Sequence, residues 1–238
     1  MSRKPLIIAH RGASAVAPES TQAAVAAAVR AGAGMIELDV QLTRDGRLVV
    51  FHDNRLDRTT DGRGPVRGRR YAELARLDAG GWFHRRFAGQ RILLVSQALR
   101  LIPRTVRVNL ELKRTRHRGA VMARLRRAVR RAGATRRVLL SSFDPALVPP
   151  SSATRSPRAL ICRWRPDASL RRAIALRCAA WHPHVSVVTA RRVARAHAAG
   201  LRVHAWTVDR RDQARALLRL GVDGLFTNHP ERLRAVRA

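Results

Sequence analysis

Residues 35–53 read MIELDVQLTRDGRLVVFHD, and how this stretch folds decides the architecture of the chain. Met35–Leu42 alternates in strand fashion, and Leu48–Phe51 is a second strand-like run. The segment between them is too short for a parallel crossover, which needs about a dozen residues. It contains Asp45-Gly46, a strong hairpin signal. An antiparallel hairpin is therefore expected. With Asp45-Gly46 at the centre of the turn, His52 lies opposite Asp39; with Arg44-Asp45 there, it lies opposite Glu37. Glu37 and Asp39 share one face because strand side chains alternate. Either register brings His52 to the face that carries both acids.

Outward from the hairpin, strand-like and helix-like runs alternate. Strands are expected at Leu6–His10, Val106–Leu112, Val138–Phe143, Ala159–Trp164, Ala179–His182, Val203–Val208 and Gly224–Thr227. Helices are expected at Thr21–Ala31, Val95–Ile102, Ala120–Ala132, Ser169–Leu176, Thr189–Ala199 and Arg211–Leu220, several stopped by glycine. Such alternation argues for a parallel sheet. The hairpin arm Leu48–Phe51 is surplus to the eight remaining strands, which suit a closed (β/α)8 TIM barrel. The length of 238 residues is close to the ~250 typical of that fold. One domain spanning 1–238 is expected. The glycine-rich stretch 54–91, with Trp82, Phe83 and Phe87, reads as a small insertion over one end of the barrel. Residues 145–158 read as a proline- and serine-rich loop.

At 46% hydrophobic residues the chain has ample material for a core. The formal net charge is +32, yet residues 1–62 hold eight basic and seven acidic residues, so the excess lies later. Only Lys4 and Lys113 are lysines, a skew that looks like a coding bias filling exposed helix positions with arginine. Aromatics are only 4%, which speaks against a specific nucleic-acid reader and leaves at most a weak attraction to anionic surfaces. Cys162 and Cys178 lack metal or redox spacing and read as buried free thiols of a reducing compartment. The apolar run before His10 is too short for a signal-peptide core, and no stretch is long enough to span a membrane. A cytoplasmic protein is expected.

Four short pieces carry the chemistry: His10-Arg11-Gly12, Glu37-Leu38-Asp39, His52-Asp53 and Glu111-Leu112-Lys113. Each lies inside or just after a strand-like run. Two histidines, three strand-borne carboxylates, an arginine and a lysine are the kit for metal-assisted cleavage of a phosphate ester. Carboxylates inside apolar strands need a strong partner, and hard divalent cations want carboxylate oxygens. Imidazole titrates in the range that moving protons at a phosphodiester requires.

In order and spacing, these pieces resemble the glycerophosphodiester phosphodiesterase family. Pro18-Glu19, Thr43-Arg44-Asp45-Gly46, Leu56-Asp57-Arg58-Thr59-Thr60, Ser142-Phe143-Asp144, Ala205-Trp206-Thr207-Val208 and Gly221-Val222-Asp223-Gly224 extend the likeness over nearly the whole chain. The resemblance implies hydrolysis of glycerophosphodiesters to glycerol 3-phosphate and an alcohol. It implies one divalent ion, Mg²⁺ or Ca²⁺, on Glu37, Asp39 and Glu111, with His10 and His52 as the acid–base pair. Arg11 would clamp the phosphate and Glu19 would orient His10 or Arg11. Lys113 stands as lysine in a chain that otherwise uses arginine, as suits a compact ammonium beside phosphate. Trp206 would wall the glycerol or alcohol moiety. Two other readings fit parts of the pattern: a phospholipase acting on a larger lipid phosphodiester, and a catalytically weak binder of anionic surfaces.

The chain departs from the family at three places. Ser20 stands where asparagine is usual, and Thr227-Asn228 where Thr-Asp is usual. Leu93-Leu94-Val95-Ser96-Gln97 replaces Pro-Thr-Leu-Glu-Glu, a change that bears on substrate fit.

Overall fold

The computed structural model describes residues 4–148 and 156–236. Its nine strands are β1 (Leu6–Ala9), β2 (Met35–Leu42), β3 (Leu48–Val50), β4 (Arg107–Leu112), β5 (Val138–Ser142), β6 (Arg158–Cys162), β7 (Ala180–Pro183), β8 (Arg202–Ala205) and β9 (Gly224–Thr227). Eight run parallel in the order β1-β9-β8-β7-β6-β5-β4-β2, and β1 pairs with β2 to close the ring. The helices are α1 (Gln22–Arg30), α2 (Tyr71–Leu74), α3 (Val95–Leu101), α4 (Arg118–Arg131), α5 (Pro166–Ala175), α6 (Ala190–Ala198), α7 (Arg211–Arg219) and α8 (Pro230–Leu233). This is the TIM barrel the alternation predicts. No described helix is long and apolar enough to cross a membrane. Of the 145–158 loop, residues 149–155 lie outside the described ones.

Alternation along each strand sorts side chains into three apolar cores. Ile36, Leu38, Leu110 and Leu140 face outward and pack under α1, α3 and α4. Leu160, Trp181, Val203 and Leu225 do the same under α5, α6 and α7. Ile8, Met35, Leu139 and Phe226 point inward and fill the barrel. Leu110 has no exposed surface, and truncating such a leucine to alanine costs about 2–5 kcal/mol. Cys162 and Cys178 are buried free thiols, and the arginines of α4 lie on its exposed face.

The hairpin forms, but in neither expected register. Val40 pairs with Val50 and Leu42 with Leu48. The turn is therefore a three-residue loop, closed by Thr43 N–H donating to Arg47 O at 3.0 Å. Gly46 sits at φ +74°, the left-handed position such a loop needs. Continued as a strand, this register would set His52 opposite Leu38. The chain instead leaves the sheet after Val50. The Gln41 side-chain amide lies 2.5–3.2 Å from the carbonyls of Phe51, His52 and Asp53 and bends the segment over the barrel mouth. There, His52 and Asp39 are close enough for each to shift the other's titration.

The segment after β3 holds α2 and builds a small core from Phe51, Leu56, Val66, Leu74 and Ile92. Arg55 bridges to Pro65 within it.

Candidate active site

The site lies at the C-terminal ends of the strands, where the βα loops of a barrel converge. Glu37 and Asp39 on β2 and Glu111 on β4 point inward. Their register, Glu37 beside Asn109 and Asp39 beside Glu111, sets the three carboxylates together. One oxygen from each lies within 4.8 Å of the others. Lys113 Nζ sits 2.6 Å from Asp39 Oδ1 and 2.5 Å from Glu111 Oε1. Arg11 Nε lies 3.4 Å from Asp39 Oδ2, and the Arg11 backbone N–H donates to Glu37 Oε2 at 3.0 Å. Arg11 adopts φ +56°. The next residue must be glycine: at φ +83°, a Cβ on Gly12 would come within 2.7 Å of the Ala24 backbone in α1.

Burial works against the charge on all three acids, and their neighbours decide each outcome. Glu37 is pushed well above the usual carboxylate range by burial and by the charges of Asp39 and Glu111. Burial also pushes Glu111 up, to about 6, with Asp39 adding to it. Asp39 would rise by burial too, but Lys113 and Arg11 hold it below its ordinary value. Three carboxylates face two cations, so one further positive charge is wanted. Glu37 Oε1 and Asp39 Oδ2 are buried with no hydrogen-bond partner. An all-oxygen donor set with unsatisfied carboxylate oxygens fits a hard divalent cation.

Both imidazoles are anchored through Nδ1. His10 Nδ1 lies 2.8 Å from Asn228 Oδ1. Asn228 Nδ2 donates to Asp209 Oδ2 at 2.8 Å, so the amide oxygen must face His10. Ser14 Oγ also donates to that oxygen. An oxygen can only accept, so His10 carries its proton on Nδ1 and leaves Nε2 free. His52 Nδ1 lies 2.6 Å from Asp53 Oδ1 and carries its proton in the same way. Burial lowers the pKa of His10 to about 4, with the charge of Arg11 adding to the effect. Burial also lowers that of His52, against the pull of Asp39.

Glu19 meets Arg11, at 3.0 Å, rather than His10. Arg58 extends this network, reaching Glu19 at 2.7 Å and Asp53 at 2.6 Å. Asp53 is held down at about 2: burial alone would raise it, but Arg58 and His52 outweigh that. Trp206 donates from Nε1 to His182 O and packs edge-on against Phe143 and His184. Asp53, Arg58, Asp209 and Asn228 are contacts the sequence reading assigned no part. The first two stand inside quoted motifs and Asn228 was visible as a departure, whereas Asp209 left no local signal.

The other departures have physical readings as well. Gln97 Oε1 accepts from Leu94 N–H at 2.7 Å and from Tyr71 OH at 3.1 Å, capping α3 and tying it to the inserted segment. These contacts hold structure together and do not involve the carboxylates. Ser20 sits at φ +63°, where asparagine is among the few side chains that settle readily.

A barrel whose mouth gathers carboxylates, two cations and two anchored imidazoles belongs with the phosphate-ester hydrolases. Residues 10–232 match the glycerophosphoryl diester phosphodiesterase family, and the chain belongs to that family. It is 35% identical, over 97% of its length and 96% of the other's, to a glycerophosphodiester phosphodiesterase of Caldanaerobacter subterraneus subsp. tengcongensis. An Oleispira antarctica phosphodiesterase, solved in complex with the product sn-glycerol-3-phosphate, superposes with a TM-score of 0.91 at 32% identity, covering 98% of this chain and 96% of that one. A glycerophosphodiester phosphodiesterase from Agrobacterium tumefaciens superposes at 0.84 with 30% identity, covering 98% of this chain and all of its own.

Proposed function

We propose that this chain hydrolyses glycerophosphodiesters to glycerol 3-phosphate and an alcohol, with one divalent cation, Mg²⁺ or Ca²⁺, on Glu37, Asp39 and Glu111. The observation that carries this reading is the carboxylate triad, clustered within 4.8 Å beside Arg11 and Lys113. The product held by the Oleispira antarctica relative supports the substrate class. When bound, the cation would supply charge neutralisation at the phosphate.

The chain's own residues do the rest. Arg11 and Lys113 offer positive charge to the non-bridging phosphate oxygens. His10, held neutral by burial with Nε2 unprotonated, suits the base that takes the proton of the attacking hydroxyl. The attacker is the glycerol 2-hydroxyl, which closes a cyclic phosphate that a water then opens to glycerol 3-phosphate, or a water that gives glycerol 3-phosphate directly. His52, whose imidazolium form Asp53 would stabilise, suits the acid that protonates the departing alkoxide. Glu19 and Arg58 position Arg11 and Asp53. Trp206 walls the alcohol side. The buried free thiols Cys162 and Cys178 support a cytoplasmic setting.

The test is turnover of glycerophosphoinositol, whose alcohol is neutral, with Mg²⁺, Ca²⁺ or chelator by the native chain and by Glu37→Gln and His52→Ala. Turnover should need the ion and fall by about a hundredfold or more in each variant. Near-native rates in both variants would overturn the assignment.

A further inference from the structure

The barrel mouth has two unlike halves. The ends of β1, β2 and β4 carry the charged machinery. The ends of β5 to β8 carry Phe143, Arg163, His184 and Trp206 instead. Strand register links the halves: Glu111 on β4 pairs with Ser141 on β5, two residues before Phe143. Phe143 in turn meets Trp206 edge-on at 5.6 Å between ring centroids. Phe143 also borders a cleft of about 440 Å³ that lies between β6, from Leu160 to Cys162, and α5, from Ala168 to Arg172. Its floor includes the buried Ile161, and Arg163, Arg165 and Arg172 line it together with Trp164.

Two features of this cleft point to its occupant. First, none of the three guanidinium groups pairs with a carboxylate among the described residues. The nearby acid, Asp167, is already gripped by Arg192 at 2.9 and 3.1 Å. Second, Trp164 is 75% exposed and Phe143 48% exposed, a cost in water that a bound group would relieve. A cationic alcohol such as choline fits poorly. It would meet three like charges, and the Arg163 guanidinium already lies over the Trp164 ring, 5.2 Å from its centroid.

We propose that this cleft is a leaving-group subsite, and that it selects glycerophosphodiesters whose alcohol carries a further anionic group, a phosphate or a carboxylate. This rests on the hydrolase reading given above. The glycerol phosphate lies against the charged half of the mouth. The alcohol crosses Phe143 and Trp206, and its anion reaches the arginines. Guanidinium forks match phosphate and carboxylate alike.

Two matched substrate pairs test this on the intact chain. Glycerophosphoinositol 4-phosphate and glycerophosphoinositol differ by a phosphate; glycerophosphoserine and glycerophosphoethanolamine differ by a carboxylate. At low salt the native chain should favour the more anionic member of at least one pair by about tenfold in kcat/KM, and the pair that responds identifies the anion. The ratio should shrink as salt rises to about 0.5 M. In the triple variant Arg163→Gln, Arg165→Gln, Arg172→Gln it should fall to near one. Equal kcat/KM within both pairs, or a preference that the triple variant keeps, overturns the subsite while leaving the hydrolase reading intact. Failure to cleave any of the four diesters refutes the hydrolase reading and the subsite with it. Should the triple variant not fold, the single variants Arg163→Gln and Arg172→Gln decide the matter: each should lower the ratio, and an unchanged ratio in both overturns the subsite.

Discussion

Asn228 Oδ1 lies 2.8 Å from His10 Nδ1, joining the segment after β9 to the segment after β1 through a neutral amide. The pair sets the proton on His10 without adding a charge beside it. Replacing Asn228 by Asp, with Asp209→Asn beside it so that no second carboxylate faces the new one, adds that charge, and an anion at this distance raises a histidine pKa by about 1–3 units. If His10 must start neutral, protonation at higher pH removes active enzyme. The acid limb of kcat/KM against pH should therefore move upward by about one unit or more in the double variant Asn228→Asp, Asp209→Asn. An unmoved limb would separate His10 from the rate.

Ion binding should be visible without turnover. The buried Glu37, raised by burial and by Asp39 and Glu111, is ionised more readily once a cation neutralises the cluster. Ca²⁺ or Mg²⁺ at a hundred times its dissociation constant should stabilise the native chain by about 2.7 kcal/mol, seen as a higher Tm than in chelator. Glu37→Gln and Asp39→Asn should lose most of that shift. An equal shift in both variants would place the ion elsewhere.

Lys113 compensates Asp39 and Glu111 at 2.6 and 2.5 Å. Lys113→Met leaves those carboxylates facing each other and should cost about 2 kcal/mol or more in chelator, and less with the ion bound. Lys113→Arg keeps the charge but not the compact ammonium, so it should restore stability more than turnover. Urea titrations beside rate measurements read both effects.

Acid should weaken the fold from inside the barrel. His182 Nε2 and His204 Nδ1 meet at 3.1 Å, and both rings are fully buried. Burial lowers His204 to about 4, and it lowers His182 well below its ordinary value, with His204 adding to that. The unfolded chain takes up these protons near pH 6.5, before the folded one does. Stability is therefore full above about pH 6.5 and drains away as pH falls toward 4, by about 3 kcal/mol from His204 alone. His204→Asn keeps a hydrogen-bonding group near Nδ1 but cannot titrate. It should flatten the fall in urea-unfolding free energy between pH 6.5 and 4; an equally steep fall would exonerate the pair.

How far the site was legible depends on the range of the interactions that build it. Glu37 and Asp39 could be assigned to one face because alternation within a strand is local. The hairpin was legible from the short Leu42–Leu48 link, but its register was not. One residue more in the loop, with Gly46 in the left-handed region, shifts every pair, and the sequence contains no local mark of that choice. His52 reaches the acids through the Gln41 amide and the bend it holds, not through strand pairing. Gln97 read as a site departure and proved a helix cap.

The sequence by itself determined the strand–helix alternation, the barrel it closes into and the residue types of the charged half of the mouth. Periodicity and turn chemistry act over a few residues, and both are written into the chain order. Tertiary structure alone decided which groups anchor each imidazole, how Arg58 ties Glu19 to Asp53, and that Arg163, Arg165 and Arg172 share a cleft with Phe143. Those arrangements join residues from different strands and loops. Closing the ring sets their distances, and no local pattern encodes them.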